Sequence, residues 1–311
     1  MRRRDSLLVQ LRDRHGQGRQ RGSPGGAALT GPSVSPRDLP LRVALGELDT
    51  GWHDPTSALR RAEQIVARSA AEGAKLVVLP EMCTTGFTMR ADDWAEPLDG
   101  PSAHRLAAMA AVDRVWLLAG LAIRAKARGA EPPVMHNAAV LFDPAGRLHA
   151  TYVKQRVFSF AGEHESYMPG DAPVVATVEG VRISPFICFD LRFPELFREV
   201  AAQVDAMLVI ANWPAERRAH WDVLVRARAI ENQCFVIAVN RTGEGGGVRY
   251  DGGSAAYGPW GEPLPNLSRP QDGPAVVSID VQRVREIRAR YPFLDDAHRA
   301  APAALAEPYA R

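Results

Sequence analysis

From residue 41 onward, short apolar runs alternate with stretches that are apolar on one helical face only. LRVALGEL (41–48) and the continuous run KLVVLPE (75–81) predict strands, the second buried on both faces because it lacks any apolar–polar alternation. Between them Leu59, Ala62, Ile65, Val66 and Ala70 recur at helical spacing, with Asp54 or Thr56 available as N-cap. The same reading predicts a helix over 102–112 and a strand over VWLLAGLAI (115–123). A hairpin follows at AAVLFDPAGRLHATYVK (138–154), turning on Asp143-Pro144-Ala145-Gly146. VVATVEGVRISPFIC (174–188) predicts a second hairpin with its turn near Glu179-Gly180. Helix 194–203, strand DAMLVIA (205–211), helix 216–232, strand CFVIAVN (234–240) and a hairpin near 250–264 complete the pattern. Gly245-Gly246-Gly247 follows a strand but opens no helix, so it reads as a flexible loop and not a phosphate cradle. No internal repeat is present. Interleaved αβ units and hairpins predict a layered α/β domain, two sheets with helices outside.

Composition narrows the setting. The 311 residues are 46% hydrophobic and 24% charged, which is globular, and the formal charge of +2 excludes a strongly polyanion-seeking protein on bulk charge. Only three of the 38 basic side chains are lysines, namely Lys75, Lys126 and Lys154. Residues 1–38 hold eight arginines against three acids, are rich in Gly, Ser and Pro, and lack apolar periodicity. They read as a disordered extension, either a basic tether for nucleic acid or an acidic partner, or, the favoured reading, dispensable. One domain over 39–298 and a tail over 299–311 follow from this. No apolar run reaches eighteen residues, so no membrane span is expected. The first twenty residues begin like a signal peptide, but Asp5, Gln10 and Arg12 break the apolar stretch. Cys83, Cys188 and Cys234 are too few for a disulfide framework or a zinc site, which makes a reducing cytoplasm the simplest location.

Three polar side chains stand at the ends of expected buried strands: Glu81, Lys154 and Cys188. Together they offer a proton-transferring carboxylate, a fixed positive charge and a nucleophile, the three functions that acyl transfer needs. The surrounding segments carry a resemblance. VVLPEMCTTGF (77–87), YVKQRVFSFAGEHESYMPG (152–170) and ICFDLRFPELFR (187–198) are similar to the three catalytic segments of the nitrilase superfamily of carbon–nitrogen hydrolases. Residues 211–262 resemble the branch of omega-amidases acting on 2-oxo acid amides, and the likeness spans roughly 40–298 with all motifs in order.

The resemblance implies a four-layer αββα sandwich and a homodimer packed through its helical face. It also implies Cys188 as nucleophile, Glu81 as general base and acid, Lys154 as oxyanion stabiliser and Glu163 as the second glutamate that orients the lysine. The Phe189 backbone N–H is expected as a second oxyanion donor. Arg156 stands where the family usually has histidine, and Cys83 where it usually has a bulky apolar residue; both bear on pocket shape. For the substrate, Arg192 is the first candidate to bind a carboxylate, its alternative being an ion pair with Asp190 or Glu195. Asn212 and Trp213 close the strand 205–211 and could wall the pocket, although Trp213 could equally pack only on the helix after Pro214. Phe87, Phe189 and Tyr167 are candidate apolar walls, and His164 a candidate at the entrance. His220 reads as a structural residue at a helix start, and Cys234 as core. No cofactor or metal is expected, because a glutamate performs both proton transfers.

The leading expectation is an amidase releasing ammonia from a small 2-oxo dicarboxylate monoamide such as 2-oxoglutaramate or 2-oxosuccinamate. Another carbon–nitrogen hydrolase, acting on N-carbamoyl amino acids, aliphatic amides or nitriles, is the alternative of the same chemistry. From a different class, the basic extension would suit a nucleic-acid-binding protein with a retired hydrolase domain. That reading requires a lost triad residue, and none is lost.

Overall fold

The computed structural model describes residues 40–126, 132–267 and 273–299. The extension read over 1–38 lies outside the described residues, as does the tail beyond Arg299. The first part of the domain runs β1 (Leu41–Leu45), α1 (Pro55–Ala71), β2 (Leu76–Val78), α2 (Ala91–Trp94), α3 (Pro101–Asp113), β3 (Trp116–Arg124), β4 (Met135–Phe142), β5 (Leu148–Val153) and α4 (Glu163–Ser166). The middle runs β6 (Ala176–Val178), β7 (Val181–Ile187), α5 (Pro194–Val200), β8 (Ala206–Ala211), α6 (Arg218–Asn232) and β9 (Phe235–Asn240). The last part runs β10 (Thr242–Gly245), β11 (Val248–Asp251), β12 (Ala255–Tyr257), β13 (Ala275–Ile279), α7 (Val281–Arg290) and α8 (Phe293–Arg299).

Two sheets form the frame, one ordered β13–β1–β2–β3–β4–β5 and the other β12–β9–β8–β7–β6. Strand periodicity explains how both are buried. Leu41, Val43 and Leu45 of β1, with Leu76 and Val78 of β2, pack into the core shared with the second sheet. Their alternates Ala44 and Val77 pack with Ala62 and Val66 of α1 and Leu106 and Met109 of α3. The second sheet is covered in turn by Leu196 and Phe197 of α5 and Trp221, Val225 and Ala229 of α6. The result is a four-layer αββα sandwich. Strands β1, β2 and β3 run parallel, as do β7, β8 and β9, so β2, β7 and β8 end in loops that carry Glu81, Cys188 and Asn212.

Local signals explain the element boundaries. Asp54 caps α1 by accepting from Ser57 N at 3.1 Å, and Pro55 opens the helix. The two expected hairpins form as β4–β5 and β6–β7. The reading near 250–264 meets a short reversal, where Tyr257 bridges Pro263 antiparallel and Leu264 N donates to Ala256 O at 2.9 Å. β12 also joins the edge of the second sheet beside β9, and the segment just before it forms a further, unanticipated hairpin, β10–β11. Gly246 and Gly247 make its turn with φ of 59° and 77°, so the triple glycine is a tight reversal and not a loose loop. A β-carbon on Gly246 would also meet the Trp52 ring at 2.8 Å. Helix 194–203 stops as α-helix at Val200 and ends in a 3-10 turn, and helix 216–232 begins with one at Ala215–Arg217. Among the described residues no helix is long and apolar enough to cross a membrane.

Candidate active site

Glu81, Lys154 and Glu163 meet in one cluster between the sheets, all but inaccessible to solvent. Lys154 directly follows β5, and its ammonium donates to Glu81 Oε1 at 3.0 Å and to Glu163 Oε1 and Oε2 at 2.9 and 2.8 Å. Glu163 opens the short helix α4 and also accepts from Phe158 N at 2.5 Å. Asn137 of β4, which sequence reasoning missed, bridges the carboxylates by donating to Glu81 Oε1 at 2.7 Å and Glu163 Oε1 at 2.8 Å. Its signal was a polar side chain inside the apolar run MHNAAVLF. Glu81 Oε2 accepts from Asn212 N at 2.8 Å, and Asn212 Nδ2 returns to the Glu81 carbonyl at 2.7 Å. Every oxygen of Glu81 is thereby engaged.

Two backbone conformations hold these groups out of their strands. Met82, just after Glu81, has φ of 40°, and Cys188 has φ of 45°. L-residues enter this region at a cost of about 1–3 kcal/mol, and such strain concentrates at functional sites. The Glu81 turn rests against β3, where Gly120 leaves room; a β-carbon there would stand 2.5 Å from Glu81 Cα. Cys188 starts a 3-10 turn to Arg192, and the first N–H groups of such a turn, Phe189 N–H included, have no partner within it. Its sulfur lies 3.9 Å from the Asn212 carbonyl oxygen. Cys83 and Cys234 are buried, leaving Cys188 as the only described cysteine with appreciable solvent contact.

A cavity of about 250 Å3 opens over Cys188. Phe87, Phe189, Arg192, Asn212 and Trp213, all expected from sequence, line it. Phe158, Arg217 and Tyr250 line it too and were not anticipated. Tyr167 does not: it is buried beside Met82 and donates its hydroxyl to Thr88 O at 2.9 Å, supporting the Glu81 turn from behind. His164 is turned away from the cavity and lies near Glu165. Arg192 makes neither ion pair considered for it. Its guanidinium stacks 4.8 Å from the Trp213 ring and donates to His220 Nδ1 at 3.2 Å. Trp213 serves both expected ends, since its indole N–H also reaches Arg217 O on the way into α6. Arg156 pairs with Glu195 at 3.8 Å and Cys83 packs in the outer core, so neither family departure reaches the cavity. A larger hollow beside α3, about 620 Å3, holds none of these groups.

Comparison with known proteins decides the family. The carbon–nitrogen hydrolase profile matches residues 42–289. The omega-amidase YafV of Escherichia coli K12 is 33% identical over 258 residues, 83% of this chain and 96% of the relative. The 2-oxoglutaramate amidase of Bacillus subtilis is 32% identical, covering 80% of this chain and 95% of its own length. This chain belongs to the carbon–nitrogen hydrolase family. Solved structures agree. A CN-hydrolase superfamily protein from Xanthomonas campestris, with an arsenic adduct in its active site, superposes with a TM-score of 0.75 at 33% identity over 86% of this chain and 99% of its own. A Nesterenkonia amidase carrying an acetamide moiety on its active-site cysteine superposes with a TM-score of 0.67 at 27% identity, over 85% and 97%. The chain is thus a hydrolase of non-peptide carbon–nitrogen bonds, an amidase of the nitrilase superfamily.

The electrostatics of this hydrolase centre on the thiol. Burial pushes Cys188 well above the usual cysteine range, the Glu81 carboxylate pushes it further, and the Lys154 ammonium works the other way. Burial also works against the charge of Lys154, but Glu163 and Glu81 more than offset it and the ammonium is held above its ordinary value. The thiol therefore rests protonated beside a carboxylate and a fixed cation.

Proposed function

We propose that this amidase hydrolyses the terminal amide of small 2-oxo dicarboxylate monoamides, 2-oxoglutaramate or 2-oxosuccinamate, through a thioester on Cys188. Two relatives bear the names omega-amidase and 2-oxoglutaramate amidase, which favours this substrate class. The observation that carries the reading on this chain is Arg192. Its partners, an indole face and an imidazole nitrogen, hold the guanidinium over the cavity without neutralising it. Among the described residues no carboxylate lies within ion-pair distance of it, so its charge is left for a substrate carboxylate. Arg217 on the same wall stacks 5.7 Å from the Phe158 ring but is ion-paired with Glu216, so it adds no comparable free charge.

The chemistry follows from the cluster. Glu81 takes the thiol proton as Sγ attacks the amide carbonyl. The ammonium of Lys154 donates to three carboxylate oxygens at rest, and one N–H turns from Glu163, whose two oxygens it contacts, to the oxyanion, with Phe189 N–H as the other donor. Such donors each contribute about 3–4 kcal/mol to the transition state. The carbon–nitrogen bond then breaks, Glu81 returns the proton, and ammonia departs neutral. A water deprotonated by Glu81 cleaves the thioester, and the same proton restores the thiol. The covalent adduct on the cysteine of the Nesterenkonia relative supports this assignment of Cys188.

A substrate panel assayed for ammonia tests the reading. 2-Oxoglutaramate and 2-oxosuccinamate are expected to exceed N-carbamoyl amino acids, neutral aliphatic amides and nitriles by at least about 100-fold in kcat/KM. Arg192→Ala is expected to raise KM for the oxo acid amides about tenfold or more while sparing neutral amides. Equal turnover of neutral and carboxylate-bearing amides by the wild type refutes the substrate assignment.

A further inference from the structure

Behind the cluster sits a second buried acid. Asp190 lies on the 3-10 turn that begins at Cys188, has no solvent exposure, and touches both halves of the sandwich. Its Oδ2 accepts from Ile187 N at 2.9 Å, one residue before Cys188, and from the Tyr152 hydroxyl at 2.8 Å. Its Oδ1 accepts from Arg156 N at 2.8 Å. Tyr152 lies in β5 two residues before Lys154, which directly follows that strand, and Arg156 stands two residues after it. One carboxylate thus brackets Lys154, which follows the edge strand of the six-stranded sheet, and grips the end of β7, which belongs to the five-stranded sheet.

These bonds have no substitute. Tyr152 and Asp190 are fully buried, so water is not available to a donor that loses the carboxylate. Cys188 also sits in a strained conformation that relaxes unless its surroundings fix it. A short acidic side chain on the turn itself reaches back three residues to Ile187 N and across the core to β5, a span no backbone contact in the turn makes.

We propose that Asp190 is a positioning residue that sets the separation of the Cys188 thiol and the Lys154 ammonium by tying the lysine strand to the cysteine turn. This rests on the assignment of Cys188 and Lys154 above, but not on the substrate. Asp190 touches neither substrate nor reacting atoms, so its effect falls on kcat and on thiol reactivity and leaves KM alone. Displacements of about 1 Å at a reacting pair cost up to about 100-fold in rate.

The test compares Asp190→Asn, Tyr152→Phe and the double variant with the wild type. Cys188 is titrated and its alkylation rate measured with iodoacetamide; kcat and KM for 2-oxoglutaramate are expressed per titratable thiol. Asp190→Asn is expected to lower kcat about 30-fold and slow alkylation about fivefold, with KM within about threefold of wild type. Tyr152→Phe, which removes one of the three bonds, is expected to lower kcat about fivefold, and adding it to Asp190→Asn to cost less than about twofold more. Wild-type kcat and alkylation rate per titratable thiol in Tyr152→Phe overturn the proposal, even if Asp190→Asn fails to fold. So does a rise in KM at constant kcat. If the wild type does not turn over 2-oxoglutaramate, the substrate reading fails on its own, and the alkylation rates still decide the role of Asp190.

Discussion

Asp190 carries its charge with no solvent around it. Burial pushes its carboxyl up from an ordinary 3.8 to about 6, against the hydrogen bond from Ile187 N and the positive charge of Lys154. A carboxyl raised in the folded state favours the protonated fold. Its contribution to stability is therefore full below about pH 4 and is lost as pH rises through about 6, a loss of about 3 kcal/mol. Urea unfolding of wild type and Asp190→Asn near pH 4 and near pH 7 checks this. The stability difference is expected to move in favour of the asparagine variant by about 2–3 kcal/mol at the higher pH; a constant difference contradicts the account. The acid destabilises the fold at neutral pH, which suits a side chain kept for geometry. Sequence exposed Glu81, Lys154 and Cys188 because each is a polar side chain ending an apolar strand. Asp190 and Asn137 escaped because their partners come from the other sheet or from distant strands, and such pairing leaves no trace in local spacing. Arg217 was hidden among 35 arginines. Tyr167 was misread because an aromatic side chain near a motif does not declare which side of the wall it occupies.

At the level of elements, strand ends and the turns that follow them do the positioning. The Glu81 turn is held by Cys83 N donating to Gly120 O at 2.9 Å and Gly120 N donating to Pro80 O at 3.1 Å, so β3 sets where the carboxylate stands. Gly120→Ala drives a methyl into Glu81 Cα and Met82 N. Overpacking of this kind costs about 1–3 kcal/mol, and the backbone that must yield carries Glu81. The variant is expected to lose about that much stability in urea and at least about tenfold in kcat, while a nearly unchanged kcat refutes the claim that β3 fixes the turn. Strands buried on both faces, capped helices and two-residue reversals were legible in sequence, because each follows from nearby residues: Asp54 with Pro55, or Asp143 through Gly146. The β10–β11 hairpin was not, since three successive glycines suit a loose loop as well as a turn with two positive φ angles. Nor was β13, whose partner β1 lies over two hundred residues away and whose pairing is a property of the whole sheet.

Across the whole molecule, arginine and lysine divide the work. Arg288 of α7 donates to carbonyls of Ala201, Val204, Asn232 and Gln233, lashing α7 to the ends of α5 and α6. Buried Arg241 links Asp49, Gly51, Thr242 and Glu244 and packs 4.4 Å from the Tyr250 ring. A broad fork suits the collection of carbonyls. In the cluster by Cys188, a chain this rich in arginine keeps a lysine, a compact ammonium that holds both carboxylates and can turn one N–H to a developing oxyanion. The sandwich brings that lysine from the end of one sheet to the cysteine of the other, and the pair is proposed to form and break a thioester. Acid-quenched mixing with 2-oxoglutaramate, read by intact mass spectrometry within the first turnover, tests it most directly. One 2-oxoglutaryl group is expected on Cys188, formed with one equivalent of ammonia and absent in Cys188→Ala. Steady ammonia release with no acyl group on the protein, or from Cys188→Ala at the wild-type rate, would contradict it.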